Sequence, residues 1–143
     1  MLKTYFFAAA IFAVAAGPAL AEECGSPPIG PAIPAASDLN GKAVEAGRAE
    51  VLAAYHQVKA YQAALKPYRE CLVKQAANDK AEFDADVAKP DKDAAAKVQD
   101  RLNDRQKTYD GTVDAETQVA TDFNNLHMAQ CKVDTDTSIC PKK

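Results

Sequence analysis

A chain of 143 residues with a formal charge of −3, no tryptophan and four cysteines has room for one small domain with a thin core. Its mild acidity argues against nucleic acid or anionic lipid as a ligand. None of the cysteines forms a Cys-x-x-Cys pair, which removes the usual dithiol redox and zinc-ribbon patterns.

The first residues read as a targeting segment. Met1-Leu2-Lys3 is a short positive stretch, Tyr5 to Ala16 is an apolar run, and Gly17-Pro18 breaks it before the small-x-small site Ala19-Leu20-Ala21. This predicts a signal peptide over residues 1–21, cleavage after Ala21, and secretion into the periplasm. The apolar run is too short to span a bilayer, and no later stretch resembles a membrane helix. Cys24 follows Glu22 and Glu23, and charged residues at those positions argue against lipid attachment. In an exported chain, Cys24, Cys71, Cys131 and Cys140 predict two disulfides, with three pairings open.

Residues 22–40 form a Pro-rich extended arm. Pro27, Pro28, Pro31 and Pro34 exclude helix and favour polyproline II. Ile29 and Ile33 are out of place in a bare linker, so the arm is expected to lie on the helices.

The helical part of the chain is expected over residues 41–131. Its first helix carries apolar residues at a spacing of seven, Val44, Val51, Val58, Leu65 and Leu72, with Ala54, Tyr61 and Tyr68 completing each heptad. Ser37, Asp38 or Asn40 would cap a start near residues 37–41. Gly41 and Gly47 weaken the first turns, and Pro67, outside the seam, is expected to kink the helix. Past Leu72 the seam fades, because Gln75, Asp79 and Glu82 occupy its places. Ala76, Ala77, Phe83 and Val87 extend a weaker apolar face to about Ala88.

Lys89-Pro90-Asp91 is the clearest turn. A second helix follows to about Cys131, with a seam of Val98, Leu102, Tyr109, Val113, Val119, Phe123 and Leu126, interrupted by Arg105, Thr112 and Glu116. A turn centred near residue 90 pairs positions whose numbers sum to roughly 180. Phe123 then falls near Tyr55 and Val58, and Tyr109 near Tyr68 and Leu72. The fold class predicted is all-α: a long antiparallel two-helix hairpin, disulfide-stabilised, with the extended arm before it and a short irregular tail over residues 132–143. Each seam residue contributes about 1.5–3 kcal/mol on burial against a backbone entropy cost of about 1–2 kcal/mol per ordered residue. The arm, the disulfides or a second copy of the chain must add to that core.

Val58-Lys59-Ala60-Tyr61, Tyr68 and Cys71-Leu72 spell V-x-A-Y-x6-Y-x-x-C-L, and Val119-Ala120-Thr121-Asp122-Phe123-Asn124 spells V-A-x-x-F-N. With Cys24 and the prolines after it, this pattern resembles a group of small exported proteobacterial helical-hairpin proteins. The resemblance implies a fold and carries no activity with it. Pro67, the longer lead into helix 1, Cys131 and Cys140 depart from the group's pattern. The shared cysteines imply a Cys24–Cys71 bridge, leaving Cys131 and Cys140 to close locally. A helix starting at Ser37 would rise about 50 Å to Cys71, whereas the arm reaches back about 43–47 Å; a start nearer Gly47 makes the bridge easy. The rival pairing joins Cys24 to Cys131 at the open end of the hairpin.

Candidate chemistry is sparse. His56 and His127 both lie off the seam and are expected at the surface. His127 and Cys131, four residues apart on one helical face, would suit copper or zinc in a reduced protein, but a disulfide at Cys131 removes the thiolate. In the acidic tip (Asp79, Glu82, Asp84, Asp86, Asp91, Asp93) the run Asp84-Ala85-Asp86-Val87-Ala88 lacks the third ligand and the glycine of a calcium loop, and the closer run Asp134-Thr135-Asp136-Thr137-Ser138 has Ile139 for the glycine and no distal glutamate. Both are expected to be solvated. No nucleophile constellation or phosphate loop is present, so no catalytic residue, metal ligand or cofactor is predicted. The expected function is non-enzymatic: binding or structural association in the cell envelope, through a protein partner or self-association, with Tyr55, Tyr61, Tyr68, Tyr109 and Phe123 as anchors where they are not internal; the favoured reading is that these aromatics fill the core. The alternatives are an inhibitor or chaperone-like binder that offers the acidic tip or the arm to an exported client, and, less favoured, metal binding through His127 and Cys131.

Overall fold

The computed structural model describes residues 24–87, 92–136 and 138–140. The proposed signal segment and the Lys89-Pro90-Asp91 turn lie outside the described residues. Two long helices, α1 (Val44–Val87) and α2 (Lys92–Val133), pack along each other as an all-α hairpin. An extended arm runs from Cys24 to a short 3₁₀ turn, Ala36–Leu39.

The start of α1 differs from the expected one. Asp38 folds back to accept a hydrogen bond from the Ala35 backbone N–H (3.0 Å), so it caps the 3₁₀ turn and not the helix. Gly41 then takes a left-handed φ of 77°, a conformation that side-chain-bearing residues avoid, and the helix starts only at Val44. This shortens the span that the arm must cover, and Cys24 is bonded to Cys71, with Cys131 bonded to Cys140. α1 continues through Pro67, and α2 runs two residues past Cys131.

The seam of α1 is buried at Val51, Ala54, Val58, Tyr61, Leu65, Tyr68 and Leu72. Val44, expected in the seam, is only half-buried, and Gly47 is buried below it. A Cβ at Gly47 would overlap the carboxamide of Gln130. That carboxamide is itself fixed, donating to the Val44 carbonyl (2.8 Å) and to Asp134 (3.2 Å). Gly47 is therefore a point of close helix approach rather than a weak helical position.

The core falls into two clusters. Val58, Tyr61, Leu65 and Val119 form one; Val51, Ala54 and Leu126 form the other. Ile33 of the arm and Phe123 pack against both, and Leu39 against the second. The arm thus supplies a third layer over the open half of the hairpin, where two helices alone would leave their apolar stripe wet.

Toward the tip the α1 side of the seam continues in polar residues, while Val98 of α2 stays fully buried. Gln75 and Asp79 are buried, and so is Thr112. Arg105 donates to both Asp79 and Gln75, and Arg101 bridges Asp79 and Glu82. One step nearer the open end, Arg69 donates to the Thr112 hydroxyl (2.9 Å), the Thr112 carbonyl (2.7 Å) and Glu116 (2.7 Å), while Gln62 also reaches Glu116 (2.9 Å). Positions read as interruptions of the apolar seam are thus its cross-links. Leu102, Tyr109 and Phe123 are half-buried, and Val113, expected in the seam, is 41% exposed. Among the described residues, every buried side-chain nitrogen or oxygen has a hydrogen-bond partner.

Candidate functional site

The chemistry-bearing side chains gather at the open end of the hairpin. Phe123, His127 and Cys131 lie one turn apart on α2. The tail folds back across them, so that Ile139 and Cys140 reach the same face.

An arginine clamps the start of the tail. Arg48 of α1 donates through Nε and Nη2 to both carboxylate oxygens of Asp134 (2.9 and 2.8 Å) and pairs with Asp136 (3.0 Å). Asp134 also accepts from the backbone N–H of Asp136 (2.9 Å) and from Gln130. Arg48 first, then these backbone and amide donors, holds the Asp134 carboxyl well below the usual carboxylate range. The backbone N–H of Ser138 lowers Asp136 in the same way. The run expected to be solvated is therefore the anchor of the tail, with Asp134 buried.

His127 also differs from the expected surface histidine. It is half-buried, stacks on Phe123 (5.8 Å between ring centroids, 13° between planes), and donates from Nε2 to the Ile139 carbonyl (2.5 Å). Tyr55 continues the aromatic row at 6.1 Å from Phe123, with the exposed His56 edge-on at 5.7 Å.

These residues enclose an open groove of about 340 Å³, lined by Arg48, Val51, Leu52, Tyr55, Phe123, His127, Ser138 and Ile139. Leu52 is 50% exposed and Tyr55 42%. Of the five aromatic anchors expected, Tyr61 and Tyr68 are buried in the core and cannot meet a partner. Tyr109 lies at the distal grooves beneath the Arg69 guanidinium, 5.8 Å from its carbon. Tyr55 and Phe123 alone line the open-end groove. A larger concavity of about 620 Å³ lies on the arm side, between Ile33–Ala36 and Asp122, Asn125, Met128 and Lys132 of α2. Its α2 wall is mostly polar.

Sequence reading missed Arg48, Leu52 and Ile139 because they lie off the seam or beyond the helices. The available signal was the antiparallel register. Arg48 pairs with Asp134 at the same height as Gly47 with Gln130.

No family model matches this chain, and neither a curated protein nor a solved structure does. The helices supply a braced groove with an aromatic wall.

Proposed function

We propose that this is a non-enzymatic, exported binding protein of the periplasm, whose contact surface is the open-end groove centred on Leu52 and Tyr55. One observation carries this reading: the apolar side chains of Leu52 and Tyr55 stay exposed where the arm, the tail and the Cys131–Cys140 disulfide brace the hairpin. Rigid aromatic anchors lose little entropy on binding, and a braced platform loses less still. The mostly apolar lining fits a protein partner that inserts an apolar residue beside Tyr55. The signal-peptide pattern at residues 1–21 and the two disulfides support export.

The inhibitor or chaperone-like alternative draws less support. Its Pro-rich arm is pinned at Cys24 and packed at Ile33, and two of its tip acids, Asp79 and Glu82, already pair with Arg101.

The test uses Leu52→Asp and Tyr55→Asp, two exposed changes that leave the core intact. Wild-type protein chemically crosslinked in native envelopes should yield a discrete complex that both variants lose, while a Val113→Asp control keeps it. A complex unaffected by either groove variant contradicts the proposal.

A further inference from the structure

His127, Cys131 and Cys140 present one imidazole nitrogen and two sulfurs that all lie within 4.8 Å of one another. In the structure the sulfurs are bonded to each other. We propose that this cluster is a latent thiolate–imidazole metal site, closed while the disulfide stands and opened to a Zn²⁺-class ion by two-electron reduction.

Two features carry the inference. His127 and Cys131 are four residues apart on α2, so the helix itself sets two ligands on one face. The third ligand is held independently of the disulfide, because the tail is anchored by Arg48 to Asp134 and Asp136, and Cys140 N–H bonds the Asp136 carbonyl (3.0 Å). Breaking the S–S bond therefore leaves both thiols beside His127. Ligands at about 2.3 Å for sulfur and about 2.0–2.1 Å for nitrogen need the sulfurs to part to about 3.8 Å, a shift that side-chain rotation supplies. Stacking on Phe123 already orients the imidazole. Water completes the tetrahedron.

A dithiol, or in vitro a trialkylphosphine with water, gives two electrons and two protons to the disulfide and becomes a disulfide or a phosphine oxide. Zinc then displaces two protons from the two thiols as it binds.

Phosphine-reduced protein is titrated with Zn²⁺, and with Co²⁺ as an optical stand-in, with helix content followed by circular dichroism. One ion per chain is expected, with two protons released, thiolate-to-cobalt charge-transfer absorption, and a zinc-induced shift of the His127 ring resonance but not of His56. His127→Ala and Cys140→Ser should each weaken binding at least tenfold, whereas Cys24→Ser should not. His127→Gln serves if the alanine variant loses helix. Equal zinc affinity in wild type and the His127 variants, an unshifted His127 resonance, or no stoichiometric binding by the reduced chain would each overturn the proposal.

Discussion

Leu126→Ala probes the asymmetry between the two halves of the hairpin. Leu126 has no exposed surface and touches the cluster formed by Val51 and Ala54, with Ile33, Leu39 and Phe123 around it. Leucine-to-alanine changes in cores cost about 2–5 kcal/mol, more where the site cannot collapse. Here collapse is resisted, since Ile33 and Leu39 pack on the cluster from the arm side and the Cys131–Cys140 bridge ties down the tail at the same end. The loss should be about 3–4 kcal/mol, a large share of the stability of a small domain. Leu102→Ala, half-buried beside an open groove in the distal half, removes less apolar contact and leaves a dent that water fills; about 1–2 kcal/mol is expected. Urea denaturation of the oxidised proteins, followed by circular dichroism, measures both. Equal losses, or a greater loss at Leu102, would refute the picture of a core concentrated at the clasped end.

Gly47→Ala should destabilise by about 1 kcal/mol or more, although alanine is the better helix former, because its Cβ must displace the bonded Gln130 carboxamide; a gain in denaturation midpoint would contradict this. By the chain-entropy model, removing Cys24–Cys71 costs about 4 kcal/mol and removing Cys131–Cys140 about 3 kcal/mol, so paired Cys→Ser variants should rank in that order by melting temperature. Asp134 and Asp136 have folded-state carboxyls below their ordinary range, and so do Glu116 and Asp79, where the arginine bonds outweigh burial. A depressed carboxylate contributes stability that is present above its unfolded value and lost as pH falls through the folded one. Stability at these groups should therefore decline below about pH 4. Denaturant midpoints that rise on acidification below that pH would reverse the sign.

The α1 seam was legible because a heptad repeat lies entirely within one helix. Val51, Val58, Leu65 and Leu72 need no knowledge of a partner to be placed inside. The register was legible from one turn, which set Phe123 beside Tyr55. Hydrophobic periodicity cannot see polar groups that are buried because they bond across the interface. Gln75, Asp79 and Thr112 therefore read as gaps, and Asp134 as solvent-facing. Pairing the arginines of one helix with acids and amides at matching height on the other would have found Arg69–Glu116 and Arg105–Asp79. Gly47 was misread for a related reason: propensity scores the helix alone, whereas Gln130 of the other helix decides what that position tolerates. The groove was the least legible element, since it depends on where the tail folds and so on Arg48.

The central claim, that partner contact belongs to the clasped open end, is tested most directly by a photocrosslinking scan in living cells. A photoreactive residue is placed in turn at Leu52, Tyr55 and Ile139, and at Val73, Gln106 and Val113 for comparison. Discrete adducts confined to the first three positions are predicted. Adducts arising equally or preferentially from the distal three would contradict the assignment.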